Sequence, residues 1–402
     1  MRKAADALRG ELIDAAITSI AERGILHFSL REVTGAIGRS TSAVSHHFGD
    51  KEGLLDAAGA VALAREAALH VAFAEWVCDL PLDSSSTVDV VVEYILRRSA
   101  ATDAVARFWW EITFNGAWWA GAADALDRLR RGRIDFWRRL LPGMTGPAAS
   151  VLAEYAAIES LYAAVLRSEG DYRLVLRETV RQFLPPNGDA GRGGIAARLS
   201  QRSMPAAPRD RGDTHLADRL IAAGAGEILE HGVGALNHRR VTAKIGASPS
   251  MIVYHFGNNA TFLSQAIWAA LLGNLPTMLD NAARDAGPRE DMAAWRIRMA
   301  GLLGAAQGDA FYVRYTRILG QTCLLAQHDA SMIPLVRHLR MLEGTGIHHA
   351  SETVWPRAVA LTRAQSTAFA IWIKGHAVPV AAATTPATLE AVVNLLRTGV
   401  TH

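Results

Sequence analysis

Thr41, Ser42, Ala43, Ser45, His46 and His47 form a short run of small polar and imidazole side chains, broken by Val44 and closed by Phe48-Gly49. On a helix each residue turns about 100° from the last, so Val44 and Phe48 fall together on one side. Ser42, Ala43 and His46 then project from the other side, with Thr41, Ser45 and His47 on the flanks. Hydroxyls and imidazoles donate and accept hydrogen bonds. Carried on a small-residue face, they let a helix come close to base edges and phosphates. Arg31 and Lys51 stand on either side of the run and add positive charge. A metal reading of His46-His47 fails, because neighbours on a helix diverge too far to chelate one ion. His348-His349 fails for the same reason, and Cys78 and Cys323 lack metal-type spacing, so neither metal nor cofactor is expected. No phosphate loop, His-Glu-x-x-His pair or nucleophile elbow is present, and the expectation is that the protein is not an enzyme.

A second group could hold a small molecule. Phe108, Trp109, Trp110, Phe114, Trp118 and Trp119 surround Glu111, and Trp110, Phe114 and Trp118 share one helical face. Two readings stand: ordinary core or subunit interface, or a pocket for a small apolar or amphipathic effector with Glu111 as counter-charge to a cation. A comparable later stretch carries Phe311, Tyr312 and Tyr315 beside Arg314 and Arg317. Tyr155, Tyr162, Phe369 and His376, on late helices, would complete such cavities.

The elements that must position these groups are helices. Ile13, Ala16, Ile17 and Ile20 make a buried stripe at helical spacing, and Gly24 stops that helix. Ser29-Leu30-Arg31-Glu32 reads as a capping box for a short second helix, which carries Val33 and Ile37 inward. Gly38 makes a turn, Ser40 caps a third helix, and Asp50 caps a fourth that starts at Lys51. Two short helices joined at a glycine form a helix-turn-helix.

The pattern occurs twice. Residues 12–55 align without a gap to residues 220–263 at a shift of 208, with 17 of 44 positions identical. The second copy keeps the core with Ile252 and Phe256, caps with Asn237 and Ser248, and places Pro249 at the first helical position. Its outer face differs: Ser250, Met251 and Tyr254, flanked by Val253 and His255.

The stretch FSLREVTGAIGRSTSAVSHHFGDKEGLL resembles the DNA-binding domain of the TetR family. The resemblance implies that Arg31 reaches toward bases or backbone, that Thr41, Ser42, Ala43, Ser45, His46 and His47 line a DNA groove, and that Lys51 pairs with a phosphate. In the second copy it implies the same for Ser250, Met251, Tyr254 and His255. Ser45 and Val253 stand where the family usually has Tyr, and Asn259 stands where it has Lys; Arg239, Arg240 and Lys244 would offset that lost charge. The resemblance further implies a dimer held by a four-helix interface, with two reading helices about one DNA turn apart.

The expected fold is all-α, with two tandem units packed as an internal pseudo-dimer, or a chain that forms a homodimer. The boundaries are 1–56 and 214–264 for the helix-turn-helix domains, 57–184 and 265–402 for helical ligand and dimerisation domains, and 185–213 for a Pro/Gly/Arg-rich linker. The expected function is a sequence-specific transcription regulator that binds a double-stranded operator and is released by its effector as a repressor. The alternative is a ligand- or protein-binding module whose second copy has lost DNA binding.

Bulk properties agree with a soluble protein having real cores. Half of the 402 residues are apolar, a fifth are charged, and the net charge is only +3, so nucleic-acid contacts must come from local patches. The basic run LDRLRRGRIDFWRRLL reads as a solvated helix and loop. The most apolar late stretch, Phe369 to Thr385, is interrupted by Lys374, His376 and Pro379, and no membrane association is expected. The sparse cysteines suit a reducing cytoplasm.

Overall fold

Leu12, Ile13, Ala16, Ile17 and Ile20 are all buried, and they define the inner stripe of α1 (Arg2–Arg23). Gly24 ends it at φ 85°, a left-handed conformation that costs an L side chain dearly. A single 3-10 turn, Ile25–His27, leads to α2 (Leu30–Ala36), α3 (Ser42–Phe48) and α4 (Lys51–Val77). In this computed structural model the described residues are 2–80, 82, 84–100, 103–141, 144–184, 194–203, 216–273, 289–303, 311–377 and 386–398. Among them every regular element is a helix.

The chain continues through α5 (Ser84–Arg98), α6 (Ala104–Asn115), α7 (Ala122–Leu140), α8 (Gly146–Leu166), α9 (Gly170–Val180) and α10 (Ile195–Ser203). Then the opening order recurs: α11 (Leu216–His231), a 3-10 turn Val233–Ala235, α12 (His238–Lys244), α13 (Ser250–Phe256) and α14 (Asn259–Leu272). Gly232, Gly246 and Gly257 take positive φ like Gly24, Gly38 and Gly49. The rest comprises α15 (Met292–Leu303), α16 (Phe311–Ala326), α17 (Ile333–Leu342), α18 (Thr345–Thr353), α19 (Arg363–Ala377) and α20 (Pro386–Thr398).

Three local expectations are corrected. Ser29 makes no side-chain cap bond, and Glu32 pairs instead with Arg23 at 3.1 Å, so the capping box is not formed. Neither Ser40 nor Ser248 caps its helix; their hydroxyls meet those of Ser42 and Ser250 at 2.6 and 2.7 Å. Within the 185–213 segment read as a linker, Ile195–Ser203 is a helix whose Ala196, Leu199 and Ser200 are buried. The Glu178 carboxylate accepts from the N–H groups of Ile195 and Ala196 at its start, favourably placed for the helix dipole. Residues 185–193 and 204–213 of that segment, and Pro379, lie outside the described residues. Asp50 and Asn237 do cap, accepting from the N–H of Gly53 and of Arg239 and Arg240 respectively.

The centre of the molecule is the packing of α8 and α9 against α19 and α20. All fifteen residues of α19 are buried, so it is surrounded on every side. A Cβ on Gly375 would lie 2.0 Å from the Glu154 carbonyl oxygen, so only glycine lets α19 cross α8 this closely. Burying charged groups there demands partners, and each has one. The Arg340 guanidinium donates to both Glu159 carboxylate oxygens at 3.0 and 3.3 Å, with both side chains fully buried. Lys374 donates to Glu343 at 2.5 Å, and the Tyr162 hydroxyl donates to the same carboxylate.

Among the described residues, two helices, Lys51–Val77 and Gly146–Leu166, are long and apolar enough to cross a membrane by length and composition alone. Gly146–Leu166 is instead the core helix α8, mostly buried inside the protein. Lys51–Val77 carries the buried Glu66, which pairs with Arg98 and Arg133.

Candidate nucleic-acid interface

The first reading head comprises α1 to the start of α4. Val44 is fully buried and Phe48 half-buried, which turns Thr41, Ser42, Ser45 and His46 to the surface and leaves Ala43 and His47 at the margins. Gly38, at φ 65°, makes the tight turn that sets α3 against α2. Arg31 is exposed on α2. Lys51 starts α4 with its ammonium 4.3 Å above the Trp118 ring centroid and 5.3 Å from that of Phe28, so two aromatic faces hold the charge in place.

Two further cations belong to this head. Arg39 is exposed in the turn before α3, legible from its place in Gly38-Arg39-Ser40. Arg9 lies with its guanidinium 5.2 Å from the Phe48 ring centroid. Only the packing of α1 brings Arg9 there, and no local spacing announces it. Among the described residues, Arg9, Arg31, Arg39 and Lys51 have no carboxylate partner, leaving four charges available to phosphates.

The second head has the same frame with different electrostatics. Ile252 and Phe256 are buried, while Ser250, Val253 and Tyr254 are exposed and Met251 and His255 are half-buried. Tyr254 is 78% exposed, a large ring where the first head has His46. The expectation that Arg240 and Lys244 restore the charge lost at Asn259 is corrected. Arg240 Nε lies 2.5 Å and Lys244 Nζ 2.9 Å from the carboxylate of the buried Glu227. The Lys244 ammonium and the Arg240 guanidinium beside it hold Glu227 below its ordinary carboxylate value. Arg239 is exposed and has no carboxylate partner among the described residues. Glu227 stands where the first copy has Ser19, and Ala217, Ala247 and Asn259 stand where it has Arg9, Arg39 and Lys51, so of the first head's four cations only Arg31 has a counterpart, Arg239.

The effector residues scatter. Trp110 and Phe114 do line a cavity between α6, α7 and α8, together with Thr113, Leu129, Arg130, Arg133 and Glu154. It encloses about 50 Å³, room for a few waters. Glu111 does not line it. That carboxylate accepts from the Ile25 N–H at 3.1 Å and the Asn115 amide at 3.0 Å, and burial pushes its pKa up. The carboxylate lining the cavity is that of Glu154, which His376 meets at 3.0 Å, Trp372 at 2.9 Å and Arg130 at 2.6 Å. Burial opposes ionisation of Glu154, but His376 and Arg130 outweigh it and hold its pKa down.

Trp118 is 41% exposed beneath Lys51 and Arg317 is exposed, so neither shapes a pocket. Tyr155 bonds the Thr179 hydroxyl at 2.7 Å and Tyr162 bonds Glu343, both in the buried centre. Tyr315 lies under the Lys374 ammonium at 4.9 Å, and Tyr312 packs beside the same core. The basic run is only partly solvated: Arg128 and Arg131 pair with Asp124 and Asp127 along α7, while Arg130 and Arg133 turn inward to Glu154 and Glu66.

The family model described as "Bacterial regulatory proteins, tetR family" matches residues 12–58. "HTH-type transcriptional regulator BetI" proteins of Burkholderia thailandensis, Burkholderia cenocepacia and Burkholderia ambifaria are each 49% identical over 49 residues. That covers 12% of this chain and 25% of each relative, so the chain spans about a quarter of the length of the curated relatives it matches. No solved structure gives a significant match.

Proposed function

We propose, from the match of residues 12–58 to the tetR family of bacterial regulatory proteins, that the protein is a sequence-specific transcription regulator acting on a double-stranded operator. The observation that carries the reading is the exposed polar face of Ser42–Phe48, ringed by four cations without carboxylate partners. In this reading α3 enters the major groove while Arg9, Arg31, Arg39 and Lys51 hold phosphates. The units 1–184 and 214–402 are tandem copies packed as an internal pseudo-dimer in the cytoplasm. Because the outer faces of α3 and α13 differ, the operator has two unlike half-sites.

Release follows an effector that favours a DNA-incompetent arrangement of the heads. The small cavity beside Trp110 and Phe114 is its entry, in a closed state that a small apolar or amphipathic molecule must part. Along this wall Glu154 is paired with Arg130 and Arg133 with Glu66, leaving no spare carboxylate, which suits a neutral ligand better than the cation expected from Glu111.

Selection of bound duplexes from a random pool tests the reading. Enrichment of a composite site with unlike halves is the expected result, and enrichment of a palindrome bound by two chains rejects the internal pseudo-dimer. A second reading, in which the second head contributes no DNA contact, is favoured by the capture of Arg240 and Lys244 by Glu227. It predicts that only one half-site is enriched.

A further inference from the structure

The first helix of each head ends at a left-handed glycine, Gly24 or Gly232, and the N–H of the next residue bonds to a group outside the head. Ile25 donates to Glu111 Oε2 at 3.1 Å, and Val233 donates to Gln321 Oε1 at 2.8 Å. Glu111 lies on α6 and Gln321 on α16, helices that touch where Phe114 packs on Gly320. The two acceptors are joined by one side chain. Asn115 Nδ2 donates to Glu111 Oε2 at 3.0 Å, and Gln321 Nε2 donates to Asn115 Oδ1 at 2.9 Å.

We propose that Glu111, Asn115 and Gln321 form a polar spacer that sets the distance between the two heads. The line runs from the backbone of one head to the backbone of the other through three side chains, each bonded to the next. Hydrogen bonds are short and directional. A shift of the heads by a fraction of an ångström would break a link and leave a partly buried polar group unpaired, whereas apolar side chains would let the helices slide. Closeness is enforced from the other side as well: a Cβ on Gly320 would lie 2.4 Å from the Phe114 ring, so α6 and α16 are in direct contact. Leu26, in the turn the spacer holds on the first head, reaches to Gly234 in the matching turn of the second.

The inference rests on the two-headed reading, and its test separates the two. Spin labels at Ala36→Cys and Ala243→Cys, one on each head, in a Cys78→Ser background measure the head-to-head distance in the full chain without DNA. The expected result is one narrow distance in the parent. In Gln321→Leu and, independently, Asn115→Leu, the distribution broadens or shifts while the melting curve stays cooperative. Gln327→Leu, a similar change just past the end of α16 and outside the line, leaves it unchanged. On duplexes that vary the gap between half-sites, the parent prefers one gap, and the spacer variants lose about fivefold on it while tolerating its neighbours. Unchanged distances in both spacer variants, or a broad distribution in the parent, overturn the proposal. If the distances respond but no form binds any duplex, the spacer stands and the DNA-reading assignment falls.

Discussion

The helices Ser42–Phe48 and Ser250–Phe256 are equal in length, follow the same glycine turn and turn the same two positions inward, Phe48 less completely than Phe256, yet their surroundings differ in charge. Around the first, four cations face solvent without acidic partners; behind the second, one buried glutamate captures two. Ala217, Ala247 and Asn259 also replace Arg9, Arg39 and Lys51, so a binding surface is decided less by the helix it presents than by which cations surround it and what stands behind them. A cation already neutralised within the protein releases few counterions on meeting DNA.

The comparison can be broken at its foundation by separating the halves. Arg340→Ala leaves Glu159 buried and unpaired at the crossing of α8 with α17, and should cost about 3–5 kcal/mol, read as a lowered denaturant midpoint. If the midpoint holds while head-to-head distances stay narrow, that pair is not what unites the two heads. Next in size, Arg31→Ala with Lys51→Ala should weaken DNA binding about 100-fold and flatten the log–log salt dependence by about 2. Equal losses from Arg240→Ala with Lys244→Ala would erase the contrast between the heads, since those cations are expected to matter less than twofold.

A gain of function sharpens it. Glu227→Gln frees Arg240 and leaves Lys244 only the exposed Glu230 at 3.5 Å, and the salt dependence should steepen by about 1 for each cation that then reaches a phosphate. A titration series at several salt concentrations checks this; an unaltered slope would mean the second head never touches the duplex.

The smallest expected effect is in pH. Burial pulls the His70 pKa from 6.5 down to about 4, against the neighbouring Glu66 charge. Burial raises Glu66, but Arg98 and Arg133 outweigh it and bring its pKa from 4.5 to about 2. As pH falls from about 6.5 toward 4, the unfolded chain binds a proton at His70 that the folded one does not, so stability drops. Below about 4.5 the same happens at Glu66, and its contribution is lost as pH passes toward 2. The slope is at most about 1.4 kcal/mol per pH unit for each group. This cluster lies on the first head's connecting helix, so acid should loosen that side first, visible as earlier amide exchange in α4 than in α14.

The frame of both heads was legible without coordinates. Buried stripes, glycine stops and the Asp50 and Asn237 caps arise from neighbours within a few residues, where spacing and side-chain chemistry determine local structure. Those same rules failed at Ser29, where a salt bridge to Arg23 took the glutamate that the capping box needed. The packed helix inside the Arg-rich linker was also missed, because its apolar face is only Ala196 and Leu199 and its start is satisfied by Glu178 from another helix.

By itself, the sequence determined that the chain is helical, that a matched reading frame occurs at a spacing of 208, and which small polar residues face outward from it. Tertiary structure alone decided that Glu111 supports a backbone turn rather than a ligand, that Glu154 takes the place beside the cavity, and that Arg240 and Lys244 are spoken for. The reason is one of range. Helical periodicity acts over a turn or two along the chain, whereas a charge answers to whichever partner lies within a few ångströms through space, and that partner can come from anywhere in the fold.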